Sequence, residues 1–189
     1  EFQRVNERYT YLTDQRDDVL KSKKELEGII ADITEEMKTI FARQFSVINE
    51  AFQQTFTELF GGGKATLELE EPEDILNCGI EIRVQPPGKA LKVLSLLSGG
   101  EKAFVAIALY FAILKVRPTP FCVMDEIEAA LDDANVVRFA RYMRQMADKT
   151  QFIVITHRRG TMEEADVLYG VTRILTINLN DVEKELHIK

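Results

Sequence analysis

From the N-terminus, apolar residues recur at alternating spacings of four and three. Val5, Tyr9, Leu12, Val19, Leu26, Ile30, Ile33, Met37 and Ile40 hold one register, interrupted only at Arg16 and Lys23. A stripe with that period runs along one side of a helix and forms the seam of a coiled coil. The alternative is an ordinary amphipathic helix packed on its own domain, and the charged residues around the seam favour the coil. After Ile40 the phase slips by one, to Phe41, Phe45, Ile48 and Phe52, and the stripe becomes aromatic, as expected where a rod hands over to a packed globule. The pattern is already running at the first residue without a cap or start signal, so the expectation is the tail of a longer rod. The chain therefore divides into a coiled-coil or neck segment at residues 1–45 and a globular lobe at residues 46–189.

Within the lobe the period changes. Alternating strand patterns lie near residues 65–70 and 79–85, and a helix is expected over roughly 99–116. After Pro118 and Pro120 comes "FCVMDE", four apolar residues running into Asp125 and Glu126. Helical spacing follows at Val136, Val137, Phe139, Ala140, Met143 and Met146, and "TQFIVITH" is a second buried strand ending at Thr156 and His157. Strand, helix and strand make a crossover unit, which predicts two parallel strands with a right-handed connection. Their carboxyl ends then share one edge of the sheet, where ligands of open α/β folds bind. Asp125, Glu126 and His157 are expected together there.

Composition narrows the class. With 189 residues and 46% hydrophobic content, the chain can build one real core. A net charge of -7 argues against coating nucleic acid by bulk charge. Cys78 and Cys122 have neither metal-ligand spacing nor the pattern of a secreted disulfide scaffold, so both are expected to be buried thiols in a reducing cytosol. No signal-like order opens the chain, and no apolar run reaches the ~18 residues that a membrane span requires.

Two Gly-Lys pairs invite comparison with phosphate loops, "FGGGKAT" at 60–66 and "PPGKAL" at 86–91. Such a loop needs a strand before it, a helix after it, a glycine five residues before the Gly-Lys, and a hydroxyl directly after the lysine. The first pair has Glu58 and Ala65 at those two positions, between a helix and a strand; the second leads from Val84 and Gln85 into two prolines without a hydroxyl. Both read as turns.

The anion site lies elsewhere. In "LSGGEKAF", Ser98 and Glu101 form a capping box at the start of a helix. The amides of Gly99 and Gly100, free of side chains and at the positive end of the helix dipole, also suit an anion. If that anion belongs to a nucleoside triphosphate with magnesium, Asp125 suits the metal, held through water. Glu126 suits the attacking water as orienter or base, and His157 suits the γ-phosphate or the water. A strand-ending Asp-Glu pair can equally serve as a helix cap or surface ion pair, and a lone histidine as a structural residue. The three together after a crossover favour the site. A serine hydrolase built from Ser98, His157 and Asp125 lacks nucleophile-elbow spacing.

"LSGGEKA", "FCVMDEIEAALDDANV" and "ITHRRGTMEEADVLYGVT" together resemble the C-terminal half of the ATPase head of structural maintenance of chromosomes (SMC) proteins, most nearly the bacterial type. "FGGGKATLELEE" and "GIEIRVQPPGK" add to the resemblance, which runs from the coiled coil through Thr172. It implies an ABC-type P-loop ATPase head, α/β, with a mainly parallel sheet flanked by helices and an N-terminal coiled-coil helix. On that resemblance Leu97 to Glu101 is the ABC signature motif, Phe121 to Asp125 the Walker B strand and Glu126 the catalytic glutamate. Ala130 to Asp133, with Leu131 and Asp132 at its centre, is the D-loop, and His157 after Thr156 is the switch histidine. The implied ligands are ATP and Mg2+, the metal through Asp125.

The implied partners are the N-terminal head segment carrying the phosphate loop, a second SMC head in a homodimer, a kleisin subunit, and DNA through the full complex. The implied place is the cytoplasm, at the nucleoid, in chromosome condensation and segregation. Ser98, Gly99 and Gly100 would act in trans on ATP held by the other head, and this chain alone would be inactive. Other readings are the head of a related ABC-type DNA-repair ATPase, and a coiled-coil docking module without turnover. The last stretch, "RILTINLNDVEKELHIK", departs from the family's longer glycine-containing turn, in the region that helps to dock the kleisin.

Overall fold

The computed structural model describes residues 1–170 together with the backbone of residues 177 and 178. Helix α1 (Phe2–Phe60) contains no proline and only Gly28 as a weak point, so nothing in its sequence interrupts the hydrogen-bond ladder. By proximity the chain forms two units, one of Glu1–Phe45 with Glu71–Cys78, the other of Ser46–Glu70 with the chain from Gly79 onward.

In the first unit no side chain is buried. Every residue of the expected seam, from Val5 to Ile40, stays exposed on α1. Exposed ion pairs Lys23–Glu27, the first partner at an interruption of the seam, and Lys38–Glu35 lie along the same helix. Such surface pairs contribute little to stability, so the helix gains little here beyond its own ladder. Cys78, expected to be buried, is partly exposed, since the segment that carries it has no core to enter.

The second unit is built around aromatic packing. Phe52, Thr55, Phe56 and Leu59 recur at helical spacing on the last turns of α1, and all are buried. Gly61, Gly62 and Gly63, all at positive φ, then reverse the chain. A Cβ on Gly63 would lie 2.3 Å from the Gln85 carbonyl oxygen, so that turn has no room for a side chain. Strands β1 (Lys64–Leu69), β2 (Ile80–Gln85) and β3 (Lys92–Val93) make an antiparallel sheet in that order. Buried Ala65 and Val84 face each other across its first pair. The Asn49 side chain clamps β1 to α1, accepting from Leu67 N at 2.8 Å and donating to Leu67 O at 3.3 Å. Both Gly-Lys pairs are therefore turns, the second closed by Lys89 N donating to Pro86 O.

Helix α2 (Gly99–Val116), strand β4 (Phe121–Asp125), helix α3 (Asp133–Met146) and strand β5 (Gln151–Ile155) follow, and β4 and β5 pair in parallel from Phe121↔Gln151 to Asp125↔Ile155. Beyond them lie a short helix α4 (Arg159–Met162) and the antiparallel pair of β6 (Val167–Leu168) and β7 (Ile177–Asn178). The fold class is α/β, with a parallel pair among helices. The departure noted at 173–189 falls outside the described residues apart from the backbone of 177 and 178.

Helix α2 is the hub. Phe104 and Phe111 are fully buried; Phe104 meets Phe60 at a centroid distance of 4.6 Å, and Phe111 meets Phe139 at 5.8 Å and Tyr142 at 5.2 Å. Cys122 on β4 is buried, its Sγ 2.6 Å from the Tyr110 hydroxyl. Phe111→Ala should destabilise the fold by about 3–5 kcal/mol, the usual result of emptying an aromatic core position. Ile113→Ala, on an exposed position of the same helix, should cost less than about 1 kcal/mol. Equilibrium denaturation of the two variants measures the contrast, and equal losses would remove Phe111 from the centre of the core.

Candidate functional site

The chain enters α2 through a 3-10 turn at Leu94–Leu96 and the buried Leu97. Ser98 has extended backbone and caps the helix, its Oγ accepting from Glu101 N. Glu101 returns the bond, Oε2 accepting from Ser98 N at 3.1 Å and from the Ser98 hydroxyl at 2.8 Å. Lys89 reaches over from the β2–β3 turn and donates to Glu101 Oε1 at 2.8 Å. The Lys89 ammonium first, then the Ser98 hydroxyl and amide, pull the Glu101 carboxyl down to about 2. Gly99 and Gly100, the first two helical residues, have no intrahelical acceptor for their amides. Around Gly99 the space is open, whereas a Cβ on Gly100 would lie 2.9 Å from the Ala130 carbonyl oxygen. Glycine at position 100 thus lets the loop after β4 press against the start of α2.

That loop has its own constraint. Glu126 takes a φ of 48°, the sole positive φ of any non-glycine among the described residues. Such a conformation costs on the order of 1 kcal/mol for a residue with a Cβ. It lets Glu126 N donate to Ile155 O at 3.0 Å, one step past the end of the β4–β5 register. The Glu126 carboxylate then lies with Oε1 3.2 Å from His157 Nδ1, both side chains exposed. Asp125 ends β4 beside them, exposed, and among the described residues no hydrogen bond or ion pair engages its carboxylate. The expected meeting at one sheet edge is therefore present for Asp125, Glu126 and His157. Among the described residues no hydrogen bond joins Ser98 to that group, and the close approach of Gly100 to Ala130 is the link between the two parts.

Leu131 and Asp132 occupy fixed places. Leu131 is buried, and Asp132 caps α3, its Oδ1 accepting from Asn135 N at 2.8 Å. Two further residues escaped the sequence reading. Glu128 is fully buried and accepts from the hydroxyls of Thr156 and Thr161. Arg158 donates to Leu131 O at 3.0 Å and to Asp133 Oδ1 at 2.8 Å. The available signal for Glu128 was an acid between Ile127 and two alanines. Among the described residues no three His, Cys, Asp or Glu side chains gather into a metal cage, and no helix is long and apolar enough to cross a membrane.

The described geometry has counterparts. The model of the RecF/RecN/SMC N terminal domain family matches residues 5–176. The chain is 54% identical over 191 aligned residues to the chromosome partition protein Smc of Bacillus subtilis (strain 168), covering 97% of this chain and 16% of that protein. It is 40% identical, with a TM-score of 0.76, to the Smc head domain with an extended coiled coil bound to the C-terminal domain of ScpA, from Pyrococcus furiosus, over 98% of this chain and 48% of that one. A structure solved in work on ATP-driven dimerization and DNA-stimulated activation of SMC ATPases is 38% identical with a TM-score of 0.70, over 80% of this chain and 98% of that one. The chain thus spans about a sixth of the curated relative's length.

Glu101 offers a direct check on the α2 entrance. A carboxyl lowered from its ordinary 4.5 to about 2 adds stability in full above the higher value and loses it as pH falls through the lower one. Wild type should therefore exceed Glu101→Gln in denaturation midpoint at neutral pH, with the gap closing between pH 4.5 and about 2. A gap independent of pH over that window would show that the Lys89 and Ser98 contacts do not hold the carboxylate.

Proposed function

Because the chain belongs to the RecF/RecN/SMC family, we propose that it is the C-terminal half of an SMC-type ATPase head, completed by a segment that carries the phosphate loop. The observation that carries this reading is the Glu126–His157 pair, 3.2 Å apart at the carboxyl ends of adjacent parallel strands with Asp125 beside it. The need for a completing segment is supported by the other face of β4 and β5. Phe121, Val123, Ile153 and Ile155 are 48–60% exposed there, whereas parallel sheets are normally covered on both faces. Residues 1–45 act as the coiled-coil neck and residues 46–189 as the lobe of the head.

ATP is the substrate. The open amides of Gly99 and Gly100 and the Ser98 hydroxyl grip the γ-phosphate of a nucleotide held on a second head, where the helix dipole favours its charge. Glu126 orients a water and takes its proton as the water oxygen bonds to the γ-phosphorus and the bond to the bridging oxygen breaks, releasing ADP and phosphate. His157, steadied by Glu126, holds the γ-phosphate or the water in line. Asp125 is the residue that would hold Mg2+, which supplies charge neutralisation at the phosphates. A single unengaged carboxylate fits that ion, because magnesium takes one or two carboxylates and relies on phosphates and water for the rest. Leu131 and Asp132 shape the loop that faces the second head. The full protein would act on DNA with a kleisin partner, at the nucleoid, in chromosome condensation and segregation.

Two variants in the completed head separate the roles. Glu126→Gln should lower phosphate release at least about 100-fold, the scale of lost general-base catalysis, while ATP stays bound and paired heads accumulate. Ser98→Arg should leave ATP binding to each head intact but block pairing. Sedimentation with ATP reads the dimer population and phosphate release reads turnover, and equal dimer populations for the two variants would contradict these assignments. The chain without the phosphate-loop segment should show no micromolar ATP binding by calorimetry.

A further inference from the structure

Glu128 is the sole charged side chain that is fully buried among the described residues. One of its oxygens does all the visible work. Oε1 accepts from the Thr156 hydroxyl and, at 3.1 Å, from the Thr161 hydroxyl on α4. Oε2 is buried without a partner among the described residues. A buried carboxylate so poorly compensated is a liability for stability, and an apolar residue of similar size would serve packing better. What the carboxylate adds is direction, because a single acceptor gathers hydroxyls from two places on the chain.

The geometry around it is specific. Glu128 lies two residues beyond Glu126 within one compact turn, in which Ala129 N donates to Glu126 O and Leu131 N to Glu128 O. Thr156 directly precedes His157. Its hydroxyl, donated to Glu128, also accepts from Arg158 N at 3.0 Å, so the backbone on both sides of His157 is fastened. The Arg158 guanidinium braces the same loop against Leu131 O and Asp133. The exposed contact of Glu126 with His157 thus has a part-buried counterpart, Glu128 with Thr156, one residue earlier on the second loop.

We propose that Glu128 is a positioning residue for ATP hydrolysis, holding His157 against Glu126 through the Thr156 hydroxyl. This rests on the hydrolytic reading of Glu126 and His157 given above. Thr161 shares the carboxylate oxygen but sits on α4 rather than directly before His157, so it provides a control.

The test is steady-state phosphate release by the completed head as a function of ATP, with thermal midpoints recorded alongside. Thr156→Val and Thr161→Val each remove one hydroxyl from the same buried oxygen and keep side-chain shape. Thr156→Val should lower kcat about 10-fold or more with KM for ATP unchanged, since small misplacements of catalytic groups are expensive. Thr161→Val should stay within about 2-fold of wild type despite a similar drop in thermal midpoint. Glu128→Gln, whose amide oxygen can still accept both hydroxyls, should retain kcat within about 3-fold. In a His157→Ala background, Thr156→Val should have no further effect.

Equal kcat losses for the two threonine variants, or a full additional loss in the His157→Ala background, would overturn the positioning role while leaving the hydrolytic assignment standing. Glu126→Gln is the separate control. If it hydrolyses ATP at the wild-type rate, the hydrolytic reading falls and this inference falls with it.

Discussion

The parallel ladder between β4 and β5 is the constraint on which the site depends. Its five paired positions run from Phe121↔Gln151 to Asp125↔Ile155, and the bond from Glu126 N to Ile155 O extends it by one step. Both strands therefore stop at the same level, and the two loops that leave them begin side by side. A slip of one residue would place Asp125 and Glu126 on opposite faces from those they occupy now. At its positive φ, Glu126 makes both that last ladder bond and the turn bond from Ala129 N. Strain at one residue is the cost of bringing a carboxylate and an imidazole together.

Helix α2 transmits the position of this edge to the free amides at its own start. Its apolar side, from Phe104 to Phe111, is locked between the aromatic end of α1 and Phe139 and Tyr142 of α3. With that side fixed, the helix start has little freedom to drift. Gly100 against Ala130 then sets how near the start of α2 comes to the loop after β4. The same extended Ser98 that satisfies Glu101 N leaves the amides of Gly99 and Gly100 without an intrahelical acceptor.

Much of this was legible in the sequence because it is written in local periods. The start of α2 follows from Ser98, two glycines and Glu101, and β4 and β5 from short apolar runs, the first bounded by prolines and acids and the second ending at Thr156 and His157. Their parallel pairing follows from the crossover rule alone. The seam residues of α1 could be assigned to one side of a helix, though not to what they meet. What stayed hidden depends on distant packing. An acid between Ile127 and Ala129 has the same local pattern whether it turns outward or inward, and the partners that make Glu128 tenable, Thr156 and Thr161, lie 28 and 33 residues away. Lys89 and Glu101 are likewise joined only because the β2–β3 turn folds back over α2. Cys78 shows the converse: composition suggested burial, and a segment without a core left the thiol partly exposed.

The uncovered face of β4 and β5 has a consequence for how such a polypeptide fares in a cell. Among the described residues the two strands pair only with each other, which leaves open edges beside Phe121, Val123, Ile153 and Ile155. Bare strand edges next to exposed apolar side chains recruit other chains into disordered sheets, and they are the features that chaperones bind and proteases find. A lobe of this kind made in excess of whatever covers it is therefore a quality-control burden. If a second layer covers that face, as proposed, its supply sets how much of the lobe accumulates.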